Sequence, residues 1–153
     1  MEKYSKTVYV NCVEETEAFG SSLAREIKSD PSLPRFIALY GDLGVGKTAF
    51  VRGFTSEFSE NARVKSPTFA LVNEYKGEGL SIFHFDAYRI GDEDELYSIG
   101  FYDYQARNGI CLVEWSENIE YALPHEYFSV KLEKLPEENN ADLRKITTSL
   151  IGG

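Results

Sequence analysis

The sequence predicts an α/β fold, a central mixed β-sheet flanked by helices. Three observations carry this. First, Phe36-Ile37-Ala38-Leu39-Tyr40 reads as a buried strand and runs directly into a glycine-rich turn. Beyond that turn, Phe50, Val51, Phe54 and Phe58 form an apolar stripe at helical spacing. Second, two strand-like runs, 69–75 and 80–85, are joined by Lys76-Gly77-Glu78-Gly79. A glycine-rich connection of that length makes a hairpin, so part of the sheet is antiparallel. Third, strand-like and helix-like segments alternate along the chain without a repeat, a low-complexity tract or a linker, which is the α/β pattern. With 153 residues, a single domain spanning 1–153 is expected.

In chain order, residues 7–12 alternate weakly and read as a first strand. Residues 14–28 follow as a helix, with Phe19, Leu23 and Ile27 recurring every four positions on one face. Asp30-Pro31-Ser32-Leu33-Pro34 ends it in a turn. The strand Phe36–Tyr40 leads through the glycine loop to a helix over about 47–58. A polar connection, 60–65, precedes Ser66-Pro67, where the proline biases Ser66 to extended backbone. After the hairpin, residues 92–98 read as a short helix whose first turns hold Asp92, Glu93, Asp94 and Glu95, suited to the positive end of the helix dipole. Ile110-Cys111-Leu112-Val113 is an apolar run fit for a central strand. Two later strands are expected at 127–132 and 145–150, with a polar loop at 136–142 between them.

Composition narrows the function classes. The chain is 42% hydrophobic and 14% aromatic, enough for a substantial core, and its formal net charge is -9. Such a surface disfavours independent nucleic-acid binding and attraction to anionic membranes. No apolar run approaches the ~20 residues of a membrane span, and the N-terminal residues do not read as a signal peptide. A soluble, cytoplasmic protein is expected. The two cysteines, Cys12 and Cys111, lie in apolar strand-like segments and read as buried, reduced thiols. No paired Cys or His ligands occur at zinc-site spacing.

The chemistry is concentrated in Gly41-Asp42-Leu43-Gly44-Val45-Gly46-Lys47-Thr48. This matches the phosphate-loop pattern G-x-x-x-x-G-K-[S/T] at every fixed position, in the strand–loop–helix setting the pattern requires. Gly41 lets the chain leave the strand in a tight turn. Gly44 and Gly46 lack a Cβ, so the backbone curls and aims its N–H groups at phosphate. Lys47 supplies a point charge between the β- and γ-phosphates, and Thr48 a hydroxyl for Mg²⁺. Residues 41–49, through Ala49, are therefore the candidate nucleotide-binding set, within a P-loop NTPase fold.

Such a site needs a further carboxylate near the metal, usually at the end of a neighbouring strand. Two qualify. Asp86 follows Ser81-Ile82-Phe83-His84-Phe85, and Glu114 follows Ile110–Val113. Strand composition does not rank them, so both remain candidate metal and catalytic residues beside Lys47 and Thr48. Thr68, in Ser66-Pro67-Thr68-Phe69, is a further candidate, able to sense the γ-phosphate or hold a metal-bound water; a rigid Pro turn opening a strand is the alternative. His84 lies two residues before Asp86, on the same strand face, either orienting that carboxylate or the attacking water or simply packed. Trp115 reads as packing or partner contact. Arg52, Arg63 and Lys65 offer either a local basic rim or ordinary solvated charge. The Asn-Lys-x-Asp guanine signature is absent, which favours ATP.

Four blocks together, GDLGVGKTAFVRG (41–53), SPTF (66–69), HFDAYRI (84–90) and LVEWSENI (112–119), resemble the bacterial TsaE (YjeE) family in residues, order and spacing. The resemblance covers nearly the whole chain. It implies a small Mg-dependent ATPase of tRNA threonylcarbamoyladenosine synthesis that works with the TsaD–TsaB pair, with tRNA contacted indirectly. On this resemblance Lys47 and Thr48 correspond to the phosphate lysine and magnesium threonine, and 66–69 to a switch-like loop. Asp86 corresponds to the aspartate near the magnesium, Glu114 to the acidic residue closing the site, and Trp115 to the tryptophan after that glutamate. Ala49, where many relatives carry a second threonine, and Ile90, where leucine is common, are small departures. Two other classes share the loop: a small-molecule kinase, against which the acidic segment after Asp92 counts because a lid needs arginines, and a nucleotide-gated binding module with negligible turnover.

Overall fold

The computed structural model describes residues 2–41, 46–67, 71–135 and 143–152, with side chains from residue 5 onward. Seven strands form one sheet: β1 (Glu2–Val10), β2 (Phe36–Tyr40), β3 (Val72–Lys76), β4 (Ser81–Asp86), β5 (Gly109–Glu114), β6 (Tyr127–Lys134) and β7 (Arg144–Ile151). Their order is β1-β7-β6-β2-β5-β4-β3. The inner four, β6, β2, β5 and β4, are parallel. Antiparallel strands complete both margins, β3 on one side and β7 and β1 on the other. The sheet is thus mixed, and the hairpin expected around Gly77 and Gly79 joins β3 to β4.

Parallel strands are covered on both faces, and the burial pattern follows. Alternation along β2 sends Ile37 and Leu39 to one side and Phe36 and Ala38 to the other, all buried. The first side is covered by α1 (Val13–Ser29) and α2 (Lys47–Ser56). Leu23, Ala24 and Ile27 of α1 and Phe50, Val51 and Phe54 of α2 pack there on Ile82, Ile110 and Leu112. Full burial of rings such as Phe50 and Phe54 contributes about 1.5–3 kcal/mol apiece. The second side carries α3 (Glu93–Ser98), α4 (Phe101–Gln105) and a 3-10 helix, Ser116–Ala122, whose Leu96, Phe101 and Ile119 close on Phe83, Phe85 and Val113.

α1 and α2 approach closely because each presents a glycine to the other's backbone. A Cβ built at Gly20 would collide with the Phe50 carbonyl, and one at Gly53 with the Glu17 carbonyl. This contact seats the N-terminal end of α2 over the C-terminal ends of the strands. α3 begins one residue later than expected, because Asp92 is its cap: the side chain accepts from the Glu95 amide at 2.9 Å. α2 stops at Ser56, so Phe58 packs from the segment beyond it.

Two expectations are corrected. Cys12 is neither buried nor in a strand; it is exposed and caps α1, because β1 ends at Val10 and its weak alternation does not extend to residue 12. Cys111 is buried as expected, and burial pushes its thiol up to about 12. Among the described residues, no helix is long and apolar enough to cross a membrane.

Candidate active site

The C-terminal ends of β2, β4 and β5 lie side by side in the sheet and deliver the site. β2 ends into Gly41, whose φ of 140° is open only to glycine. Gly46, at φ 107°, caps α2 in the left-handed region, and its carbonyl accepts from the Phe50 amide at 3.0 Å. Lys47 and Thr48 are the first residues of α2, and Ala49 is buried behind them. Asp42, Leu43, Gly44 and Val45 lie outside the described residues, as does Thr68.

Lys47 is 5% exposed. Its ammonium donates to the Gly41 carbonyl at 2.5 Å and lies 3.7 Å from the centre of the Trp115 ring. The cation therefore sits over an aromatic face in a partly desolvated place, where a cation–π contact is at its strongest. Trp115 reaches this position through a left-handed backbone, φ 60°, immediately after β5. Its ring also packs on Tyr88, 4.8 Å between centroids. Sequence reasoning read Trp115 as packing or partner contact. The geometry makes it a neighbour of Lys47, a relation hidden in the sequence because it depends on a strained turn.

Asp86 and Glu114 are the last residues of β4 and β5 and are direct register partners across the parallel pair. Both are nearly fully buried, 5% and 4% exposed. Asp86 is pinned by the Tyr88 amide, which donates to Oδ1 at 2.9 Å. The loop behind it is tied to β5 by the Ala87 amide on the Glu114 carbonyl at 3.0 Å, and to the 3-10 helix by Asn118, which donates to the carbonyls of Ala87 and Tyr88. Burying two carboxylates together is costly without compensating charge. Here the Tyr88 amide serves Asp86 and the His84 ring serves Glu114.

His84 is fully buried, and its Nε2 lies 2.5 Å from Glu114 Oε2. The shared-face reading of His84 and Asp86 holds, but the imidazole engages Glu114, diagonally across the strand pair. On the other ring nitrogen, Nδ1 is 3.3 Å from the Tyr75 hydroxyl. Tyr75 belongs to β3 and was not singled out from the sequence. The alternation that marks His84 would also have marked it, since Tyr75 pairs with Ile82 and Asn73 with His84. Arg52, considered for a basic rim, is paired with Glu17 at 3.1 Å; Arg63 and Lys65 are exposed.

Hard oxygen donors suit Mg²⁺, which uses one or two protein carboxylates and leaves other positions to water and phosphate. Asp86 and Glu114, register partners at adjacent strand ends, offer donors of this kind, and Thr48 carries a hydroxyl in the first turn of α2. Among the described residues no group of three or more His, Cys, Asp or Glu could hold a metal unaided. The donor set fits a metal shared with a bound phosphate.

Comparison with known proteins agrees. The family model described as threonylcarbamoyl adenosine biosynthesis protein TsaE matches residues 10–145. The chain is 41% identical over 107 residues to the tRNA threonylcarbamoyladenosine biosynthesis protein TsaE of Haemophilus influenzae, covering 70% of this chain and 68% of that protein. It is 39% identical over 142 residues to the protein of that name from Rickettsia conorii, covering 92% and 77%. For the Bacillus subtilis protein of that name the identity is 37% over 139 residues, covering 91% and 82%. The crystal structure of Bacillus subtilis YdiB matches with a TM-score of 0.74 at 31% identity, covering 99% of this chain and 88% of that one. The expected fold, a P-loop NTPase fold with a mixed sheet flanked by helices, stands.

Proposed function

The chain belongs to the TsaE family of tRNA threonylcarbamoyladenosine biosynthesis, and from that premise we propose that it is a Mg-dependent ATPase, converting ATP to ADP and phosphate in support of TsaD–TsaB. The observation that carries this reading is that Lys47, at the start of α2, lies over Trp115, the residue that follows Glu114, while Asp86 and Glu114 are register partners at adjacent strand ends. Residues 1–153 act as one P-loop ATPase domain in the cytoplasm. TsaD–TsaB installs threonylcarbamoyl on adenosine 37, and tRNA is met through that complex, consistent with a net charge of -9.

Residues 41–49 bind the nucleotide. The α2 N-terminus presents backbone N–H groups and a positive dipole end to phosphate. Lys47 exchanges its bond to the Gly41 carbonyl for phosphate oxygen, placing its charge where negative charge develops. When bound, Mg²⁺ supplies Lewis-acid stabilisation of the transferring phosphoryl group. Thr48, Asp86 and Glu114 hold it, and Glu114, fixed by His84, also orients the attacking water. Thr68 contributes from the switch-like loop. The half-buried Trp115 ring covers one side of the lysine, and the exposed Tyr88 ring packs on the tryptophan. No arginine stands out in the sequence as a finger for the transferring phosphate, so in this reading the partner completes the site and hydrolysis is partner-stimulated.

The test is ATP turnover with Mg²⁺, alone and with TsaD–TsaB, beside Lys47→Ala. Stimulation lost in Lys47→Ala is the expected result. No turnover in a verified complex would sink the ATPase reading and favour a nucleotide-gated binding module.

A further inference from the structure

We propose that Tyr75 is a positioning residue, its hydroxyl linking the backbone at Lys65 to the His84–Glu114 pair and holding the Glu114 carboxylate in its working orientation. This rests on the reading of Glu114 as a site carboxylate.

The hydroxyl lies 3.1 Å from the Lys65 carbonyl oxygen, 3.2 Å from the Lys65 amide nitrogen, 3.4 Å from Asn73 Nδ2 and 3.3 Å from His84 Nδ1. A hydroxyl has one proton and two lone pairs. The proton goes either to the Lys65 carbonyl or to Nδ1. Asn73 Nδ2 also donates to that carbonyl, at 3.1 Å, so the carbonyl is served without Tyr75. Nε2 must donate to an ionised Glu114, which leaves Nδ1 of a neutral ring as an acceptor. For the neutral ring one arrangement satisfies every group: the Lys65 N–H donates to the tyrosine oxygen, the tyrosine O–H donates to Nδ1, and Nε2–H donates to Glu114. All three donors point toward the carboxylate, so each bond polarises the next. The chain is sheltered: Tyr75 is 8% exposed and His84 fully buried.

The link has a direction in the fold. Lys65 immediately precedes Ser66-Pro67, and beyond residues 68–70 the Leu71 carbonyl accepts from the Asp86 amide at 3.0 Å. The backbone flanking Ser66–Phe69 is therefore bonded to both carboxylate residues, to Asp86 directly and to Glu114 through Tyr75 and His84. A partner that shifts the backbone at Lys65 changes the hold on Glu114 without touching the nucleotide. A structural hydroxyl would do none of this.

Tyr75→Phe keeps the ring and deletes the link; Asn73→Ala, at a half-buried position on the same face of β3, draws the hydroxyl proton back to the Lys65 carbonyl. Four readouts apply to the whole chain: ATP turnover with TsaD–TsaB, nucleotide affinity, the ¹⁵N imidazole spectrum, and hydrogen exchange at the Lys65 amide. That spectrum is readily assigned because His84 and His125 are the only histidines. For Tyr75→Phe, turnover falls about tenfold or more, as for loss of an outer-shell partner. Nucleotide affinity stays within about twofold by the same reasoning. The His84 signal leaves the single Nε2–H tautomer, and the Lys65 amide loses its slow hydrogen exchange. Asn73→Ala moves each readout in the same direction by less. Wild-type turnover with an unchanged His84 tautomer in Tyr75→Phe would overturn the proposal. If the wild-type chain shows no turnover at all, the ATPase reading fails, and the tautomer and Lys65 exchange still decide the Tyr75 link.

Discussion

Substituting Gly53 by alanine tests whether the α1–α2 contact sets the position of the nucleotide helix. A methyl at Gly53 would lie 1.9 Å from the Glu17 carbonyl oxygen, whereas ordinary van der Waals contact begins at 3.4 Å. The helices have to part by about 1.5 Å, and the obstacle is backbone, which has no rotamer to give way. Overpacking of this kind costs typically 1–3 kcal/mol, and a clash with main chain belongs at the upper end, about 3. Replacing a helical glycine by alanine returns about 1 kcal/mol of intrinsic propensity. The net loss is about 2 kcal/mol, which for a chain of this size lowers Tm by roughly 4–8 °C. Thermal unfolding followed by far-UV circular dichroism measures this directly. Because α2 carries Lys47 and Thr48, nucleotide affinity should fall in parallel, a displacement near 1 Å being enough to disturb a catalytic constellation. A Gly53→Ala protein with wild-type or higher Tm would refute the claim that the two helices touch through backbone here.

Other outcomes follow from the same geometry. Lys47→Met removes the cation over the single tryptophan, so Trp115 emission should change in intensity without nucleotide, read by steady-state fluorescence. One thiol, Cys12, should react with a disulfide reagent at pH 8 in the native protein. Cys111, held near 12, has a thiolate fraction of about 10⁻⁴ there and should react only on unfolding. Phe54→Ala, which empties a fully buried position between Phe50 and Phe58, should cost about 3–5 kcal/mol in denaturant unfolding. Glu114→Gln should leave the fold intact and reduce Mg²⁺-dependent turnover at least about tenfold, measured over a magnesium titration.

The parts of the fold that the sequence announced are those with a long period. α1, β2, α2 and β5 each carry an apolar pattern that a helix or buried strand explains. α4 went unseen because five residues span little more than one turn, and the 3-10 helix because its backbone breaks at Ile119. β1 begins at Glu2, well before its expected start, because pairing with β7 rather than burial defines its first residues. Lys47, Asp86 and Glu114 stand where the motif and the strand ends place them, at the start of α2 and the ends of β4 and β5. The partner of His84 was not, because alternation fixes a face, whereas the choice between Asp86 and Glu114 depends on strand neighbours and their register. Trp115 over Lys47, and Tyr75 behind His84, likewise depend on contacts that join distant parts of the chain.

The register of β4 and β5 has a consequence for what the gene can tolerate. Ile82, His84 and Asp86 share one side of β4, and Phe83 and Phe85 the other, so chemistry and packing are interleaved by odd and even positions. Substitutions change one position at a time. A single-codon insertion or deletion within β4 would reverse the parity of everything on its far side, presenting an aromatic ring where Asp86 should stand and a carboxylate to the apolar layer. Insertions and deletions are thus expected to spare β4 and β5. In β4 and β5 the reading frame of the sheet is as binding as the reading frame of the codon.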